Sequence, residues 1–314
     1  MRRFFALVIC IMMSIMISIS PMAFANDNVE KHNYFITEAY NYPIVPEMAE
    51  WAELKSLSEM IEVCQIPENI LNNMTTEALI ETVINYPLLI NMFAYDKPQQ
   101  GFKEVSSYFN GLQELVNRDD VSPKLETFVS RMSVKKDYSS LNSVLARVIM
   151  ENLQIRDDVA DMLRLEYHYN YTPNGTRVQF IYNLTWADHG ITAEYADQLN
   201  EEYKLRYKNA TPKREENPAY NCHSYAWYST SSGNLYWLNG GYAAYYMSDG
   251  SYTEVTSAKS GDKVWYGSSD HSAIVSSVSG GTVTVISKWG ALGLFEHSVE
   301  HCPYSSSNVS YWRR

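Results

Sequence analysis

Two residues of this 314-residue sequence can together cleave an amide: Cys222, in Asn221-Cys222-His223-Ser224-Tyr225-Ala226-Trp227-Tyr228, and His271, in Asp270-His271-Ser272-Ala273-Ile274-Val275. Asn221 is a good helix N-cap, which puts Cys222 at the first position of a helix. A sulfur there meets about half a positive charge and several unpaired backbone N–H groups, which favour the nucleophilic thiolate and can also donate to a tetrahedral oxyanion. An imidazole must then take the thiol proton and return it to the leaving amine, and a His at the mouth of a strand can meet a helix-borne Cys. Alone, Cys222 reads as a buried core thiol and His271 as a structural strand residue; the two together point to catalysis.

The capped Cys222 followed by aromatics, Gly261-Asp262 before an apolar strand, and His271-x-Ala273-Ile274-Val275 resemble the CHAP and NlpC-type cysteine amidases and peptidases of the papain superfamily, over about residues 218–290. The resemblance implies an exported enzyme that cuts amide bonds in peptidoglycan peptides, with Cys222 as nucleophile, His271 as general base and no cofactor. The family usually orients its His with Glu, Asn, Gln or His on the following strand, where this chain has Ser287-Lys288-Trp289. Ser287 is therefore expected to accept a hydrogen bond from His271, while Lys288 would repel an imidazolium; His297, Asp270, His223 and a backbone carbonyl are other orienting groups. Tyr220 and Asn221 are expected as oxyanion donors, and Trp289 as a substrate contact.

A rival constellation is His297, His301 and Cys302. Spacing of four would place both imidazoles on one helix face, with Cys222 or His223 completing a zinc site. The segment has no Cys-x-x-Cys, so packing is the simpler reading and no metal is expected. Trp227, Trp237, Trp265, Trp289 and tyrosines such as Tyr225, Tyr236, Tyr242, Tyr245 and Tyr246 can line a sugar or peptide cleft, although core packing explains most of them.

The elements that must hold these residues differ along the chain. From about residue 47 to 165 apolar residues recur at helix spacing: Leu79, Ile80, Val83 and Ile84 after the N-cap Thr75, then stripes beginning at Pro87, Phe102, Leu125 and Leu141. Near Tyr167 the period becomes two, and Pro173-Asn174-Gly175 turns the chain into a returning strand through Val178, Phe180 and Tyr182. A helix is expected over 192–207 and a polar linker over 208–218. Short strands follow at 263–266, 272–278 and 282–287, the last two joined by Ser279-Gly280-Gly281.

The first residues have another use. Arg2-Arg3, an apolar run to Ile19 and Ala23-Phe24-Ala25 fit a secretory signal cleaved after Ala25; about 16 apolar residues fall short of the ~20 a membrane span needs. No membrane anchor is expected to remain. Of four Cys, Cys10 lies in that leader, which leaves Cys64, Cys222 and Cys302, an odd number with at least one free thiol. A net charge of −11 without a Lys/Arg run argues against nucleic acid as a partner, and 46% apolar against 19% charged residues argues against disorder.

The sequence thus predicts an α+β protein: a signal peptide at 1–25, a helical region at 26–165, a hairpin, helix and linker at 166–213, and a papain-like domain at 214–314, in which a helix packs on an antiparallel sheet. The expected activity is a secreted cysteine amidase or peptidase acting on peptide or peptidoglycan; the alternative is a secreted, non-catalytic binding module of the same fold. The helical region is expected to position the enzyme at the wall or to occlude its cleft.

Overall fold

The computed structural model describes residues 35–134, 141–154 and 165–314, so the expected leader, Cys10 and the expected cleavage site after Ala25 lie outside the described residues. No helix among the described residues is long and apolar enough to cross a membrane.

The protein is α+β. Several of its helices start where the sequence supplies caps: the Ser56 side chain accepts from Glu59 N–H, Thr75 from Ala78 N–H and Thr192 from Tyr195 N–H. The helices Thr76–Ile84, Val121–Val134 and Leu141–Gln154 follow the apolar stripes. Two expectations shift. The stretch opened by Pro87 is a 3-10 segment, Leu89–Ala94, and the stripe from Phe102 to Val116 is two helices, Pro98–Tyr108 and Asn110–Val116, because Phe109 between them is extended (φ −108°, ψ 112°).

Ten strands follow. β1 (Tyr167–Tyr171) and β2 (Arg177–Tyr182) form the expected hairpin, and the short β4 (Tyr236–Trp237) completes a sheet of order β1-β2-β4. The second sheet has seven strands in the order β3-β9-β8-β7-β6-β10-β5. Its members are β3 (Thr211–Arg214), β5 (Thr253–Val255), β6 (Lys263–Tyr266), β7 (His271–Ser279), β8 (Thr282–Lys288), β9 (Leu294–Ser298) and β10 (Val309–Arg313), and every paired neighbour is antiparallel. The polar stretch read as a linker therefore contains a strand. β3 pairs with β9 and is pinned there by Lys213 to Glu296 at 2.6 Å. Its side chains are mostly exposed, so it carries polar residues and gives no apolar alternation to read.

Residues Phe35–Arg314 pack as one compact unit. A single hydrophobic cluster runs from Leu79 and Phe109 in the helical region to Val264, Val285 and Phe295 in the sheet. The changes of texture near residues 165 and 213 mark changes of secondary structure within that shared core. The helix Ala193–Arg206 joins the two sides: Tyr203 Oη donates to Ile90 O at 2.6 Å, while the Tyr203 and Tyr207 rings meet the Trp289 ring edge-on at 5.5 and 5.1 Å.

Trp289 is fully buried and stacks on Phe295 at 4.1 Å, so its removal empties the seam between helices and sheet. Trp289→Ala is expected to cost about 3–5 kcal/mol, read as a lower urea midpoint. Helical circular dichroism and sheet-side tryptophan fluorescence should be lost in the same transition; two separated transitions would contradict a shared core.

Candidate active site

The loop before Cys222 is built to start a helix. Asn221 Oδ1 accepts from Ser224 N–H at 3.0 Å, and the chain runs from Cys222 and His223 into a π-helical turn, Ser224–Tyr228. Cys222 thus occupies the expected first position. This helix packs on the β6–β7–β8 face that carries Trp265, Ser272, Ile274 and Ile286: His223 Nδ1 lies 2.8 Å from Ser272 Oγ, Trp227 Nε1 donates to the same oxygen at 2.8 Å, and Tyr220 and Tyr225 pack with Ile274 and Ile286.

Charged groups gather beside the sulfur. His223 Nε2 lies 3.4 Å from Asp270 Oδ1. Burial works against the charged His223 ring, but Cys222 and Asp270 outweigh it and hold the imidazole pKa well above its ordinary value. Asp270 answers in kind: burial opposes its charge, yet His223 holds its carboxyl below the usual range. Gly240 makes room for this carboxylate, since a Cβ there would lie 1.9 Å from Asp270 Oδ1. Asn221 Nδ2 donates to both oxygens of Asp96, at 2.9 and 3.2 Å, and to Leu238 O at 2.8 Å. Burial pushes the Asp96 carboxyl up to about 6 against the pull of His223 and Asn221.

His271 stands at the first position of β7, as expected, and is fully buried. Its side chain projects differently. It pairs with Tyr266 on β6, whereas Ser272 pairs with Trp265, and successive strand residues point to opposite faces. Ser272 and Trp265 meet the Cys222 helix, while His271 and Tyr266 belong to the other face, where Tyr304 stacks on His271 at 3.4 Å and 9°. Neither His271 nitrogen has a protein hydrogen-bond partner, and burial, with His223 and His297 nearby, pushes its pKa well below the ordinary value. The Tyr304 phenol is the link between the two residues, being raised by burial first and then by the neighbouring Cys222 sulfur.

The remaining expected site residues are occupied otherwise. Ser287 does not orient His271. His297 Nδ1 lies 2.8 Å from Ser298 O and so donates to it, which leaves His297 Nε2 to accept from Ser287 Oγ at 2.8 Å, while Trp289 Nε1 donates to Ser287 at 3.1 Å. Trp289 is a core residue and not a cleft wall. Tyr220 Oη accepts from Arg214 at 3.1 Å, and the amide of Asn221 is engaged as cap and bridge. Trp227, Trp237, Tyr225 and Tyr246 are buried as well.

The expected repulsion by Lys288 does not arise. Its ammonium is buried on the helix-facing side of the sheet and donates to Asn217 O, Gly290 O and Leu292 O at 2.8, 3.1 and 2.6 Å, with the Tyr220 ring 4.8 Å away. Burial lowers its pKa, opposed by Cys222, Glu216 and Asp96. The zinc geometry also fails: His297 lies in β9 and His301 in a bend beyond it, so spacing of four does not align them on a helix. No group of three or more His, Cys, Asp or Glu among the described residues could hold a metal.

Asp270, Asp96 and Gly240 complete the cluster. Asp270 had a signal, its place beside His271; Asp96 had none, because it arrives from 125 residues upstream. No family model, curated protein or solved structure matches this chain.

Because the Asp96 carboxyl is raised to about 6 from the usual 3.8, the folded protein takes up a proton that the unfolded chain does not hold over that window. Stability from this group therefore rises as pH falls through 6 and levels off below the unfolded value. Asp96→Asn should lose that gain, so the difference in urea midpoint between wild type and variant should move in favour of wild type from about pH 7 to about pH 4.5; a constant difference would contradict the assignment.

Proposed function

We propose that this chain is a cysteine amidase or peptidase of papain-like architecture, with Cys222 as its nucleophile. The observation that carries the reading is the contrast among the three described thiols. Burial pushes Cys64 and Cys302 up to about 12, which makes them inert core residues, whereas Cys222 opens a helix and lies among His223, Asp270, Asp96 and Lys288. A helix packed on an antiparallel sheet, with Cys on the helix and His on the sheet, agrees with the family that the sequence resembles.

The chemistry is acyl transfer. The Cys222 sulfur attacks the amide carbonyl carbon, the C–N bond breaks, and the amine leaves with a proton from an imidazolium, giving a thioester. Water then attacks the thioester carbonyl and gives a proton to the imidazole, and the C–S bond breaks to release a carboxylic acid and restore the Cys222 thiolate. His271 is the acid and base in this reading, supported by two buried ring nitrogens with no protein partner, an arrangement that costs about 1–3 kcal/mol per unsatisfied group unless the ring serves another purpose. Its ring must turn toward Cys222 around the end of β7 for transfer. His223, whose imidazole pKa Cys222 and Asp270 hold well above its ordinary value, lies beside the sulfur. The resemblance adds peptidoglycan peptide as the substrate and export as the location.

A second reading is a secreted binding module that keeps the fold without turnover. It is favoured by the exposure of Cys222 and His271, 3% and 0%, and by the opposite faces that Ser272 and His271 present.

Digestion of peptidoglycan fragments, with product masses, separates the two. Cys222→Ala should lower turnover by about four orders of magnitude or more. His271→Ala should do the same, whereas His223→Ala should leave measurable turnover with a shifted pH profile. Equal product from wild type and Cys222→Ala would leave only the binding module.

A further inference from the structure

We propose that residues 93–100 form an intramolecular strap that holds the Cys222 site closed and must move before any substrate reaches the sulfur. The proposal concerns regulation of the site and rests on the assignment of Cys222 as its nucleophile.

The strap touches each group that flanks the site. Both oxygens of Asp96 accept from Asn221 Nδ2, at the residue immediately before Cys222. Gln100 lies beside Asp270, the partner of His223, and helps hold its carboxyl below the usual range. Tyr304, whose ring covers His271, donates its hydroxyl to Ala94 O, and Tyr95 donates to Pro303 O at 3.4 Å with its ring 5.3 Å from that of Tyr304. Gly290 lets the chain come this near, since a Cβ there would lie 3.0 Å from Ala94 O. Phe93 to Tyr95 are buried and the strap turns partly outward at Asp96, followed by exposed Lys97 and Gln99. From Asp96 onward its grip is polar and rests on two side chains, Asp96 and Gln100.

Two consequences follow from the contacts. Cys222 is buried, and the strap engages the amide of Asn221, the residue next to it in the chain. Displacing the strap opens the route to the sulfur and frees that amide in one step. Because the groups held are Asn221, Asp270 and Tyr304, release also loosens the ring that lies on His271.

The test uses the full chain and iodoacetamide, with the alkylation of each Cys followed by peptide mass spectrometry. Cys64 is buried in the helical core and reports global unfolding, whereas Cys302 adjoins Pro303 and Tyr304, which the strap itself contacts. In Asp96→Ala, Cys222 should be alkylated about tenfold or more faster than in wild type while Cys64 stays protected. Gln100→Ala should show the same selectivity with a smaller gain. If Asp96→Ala exposes all three thiols together it has unfolded, and Gln100→Ala decides. Selective exposure of Cys222 supports the strap; an unchanged Cys222 rate in a folded variant, or wild-type Cys222 reacting as fast as in denatured protein, overturns it. Peptidoglycan-fragment turnover by the same variants separates this from the hydrolase reading. A variant whose Cys222 opens selectively, yet which releases no more product than Cys222→Ala, upholds the strap and sinks the hydrolase.

Discussion

The side chain of Asn221 is the interaction on which the site depends. One amide does three things: its oxygen satisfies the Ser224 N–H and receives Leu238 N–H, and its nitrogen reaches Leu238 O and the Asp96 carboxylate. The first fixes where the helix begins and therefore where Cys222 stands. The second ties that helix to the loop before Gly240, which in turn leaves space for Asp270. The third draws in a segment from the helical region. A Ser or Asp in its place could cap a helix, but neither offers the two N–H donors that this bridge uses.

Beneath this junction the sheet keeps its polar groups in order without a disulfide. All three described cysteines are free and buried, so the interior is held by packing and by satisfied polar chains. The run from Trp289 through Ser287 and His297 to Ser298 is one such chain, each donor finding one acceptor, with the His297 pKa pushed down to about 4 by burial. Lys288 is another. Its three carbonyl acceptors tie the 217 loop, which leads into Asn221, to the turn at 290–292. A buried ammonium is costly unless its hydrogens are all met, and three acceptors match its three donors.

Much of this was legible in the sequence, because local chemistry sets it. Thr75 capped as read, the helix expected over 192–207 formed at Ala193–Arg206, the alternation of Val178 and Phe180 gave β2, and Asn221 put Cys222 at a helix start. What the sequence hid was long-range. The strand at Thr211–Arg214 is polar because it sits at the sheet edge, and its partner lies over 80 residues away. His297 and His301, four apart, suggested a helix face, but Phe295 and His297, buried on either side of half-buried Glu296, show strand packing along β9 instead. Ser287 was expected to face His271, and only the pairing of β8 with β9 reveals that His297 claims its hydroxyl. Asp96 had no local mark at all.

The alternation along β7 gives its register an unusual weight. His271 and Ser272 are neighbours, and each is held to its own face solely by which β6 residue it opposes. Side chains repeat every two residues, so sliding β7 by one position against β6 would exchange them, setting an imidazole where the Ser272 hydroxyl now meets the Cys222 helix. The strand already contains an irregularity between Val275 and Ser277, and Asp270, just ahead of His271, has a left-handed backbone (φ 47°). A break at each end frames the short span from His271 to Val275, so the identity of the ring nearest the sulfur is a matter of strand alignment as much as of amino-acid type.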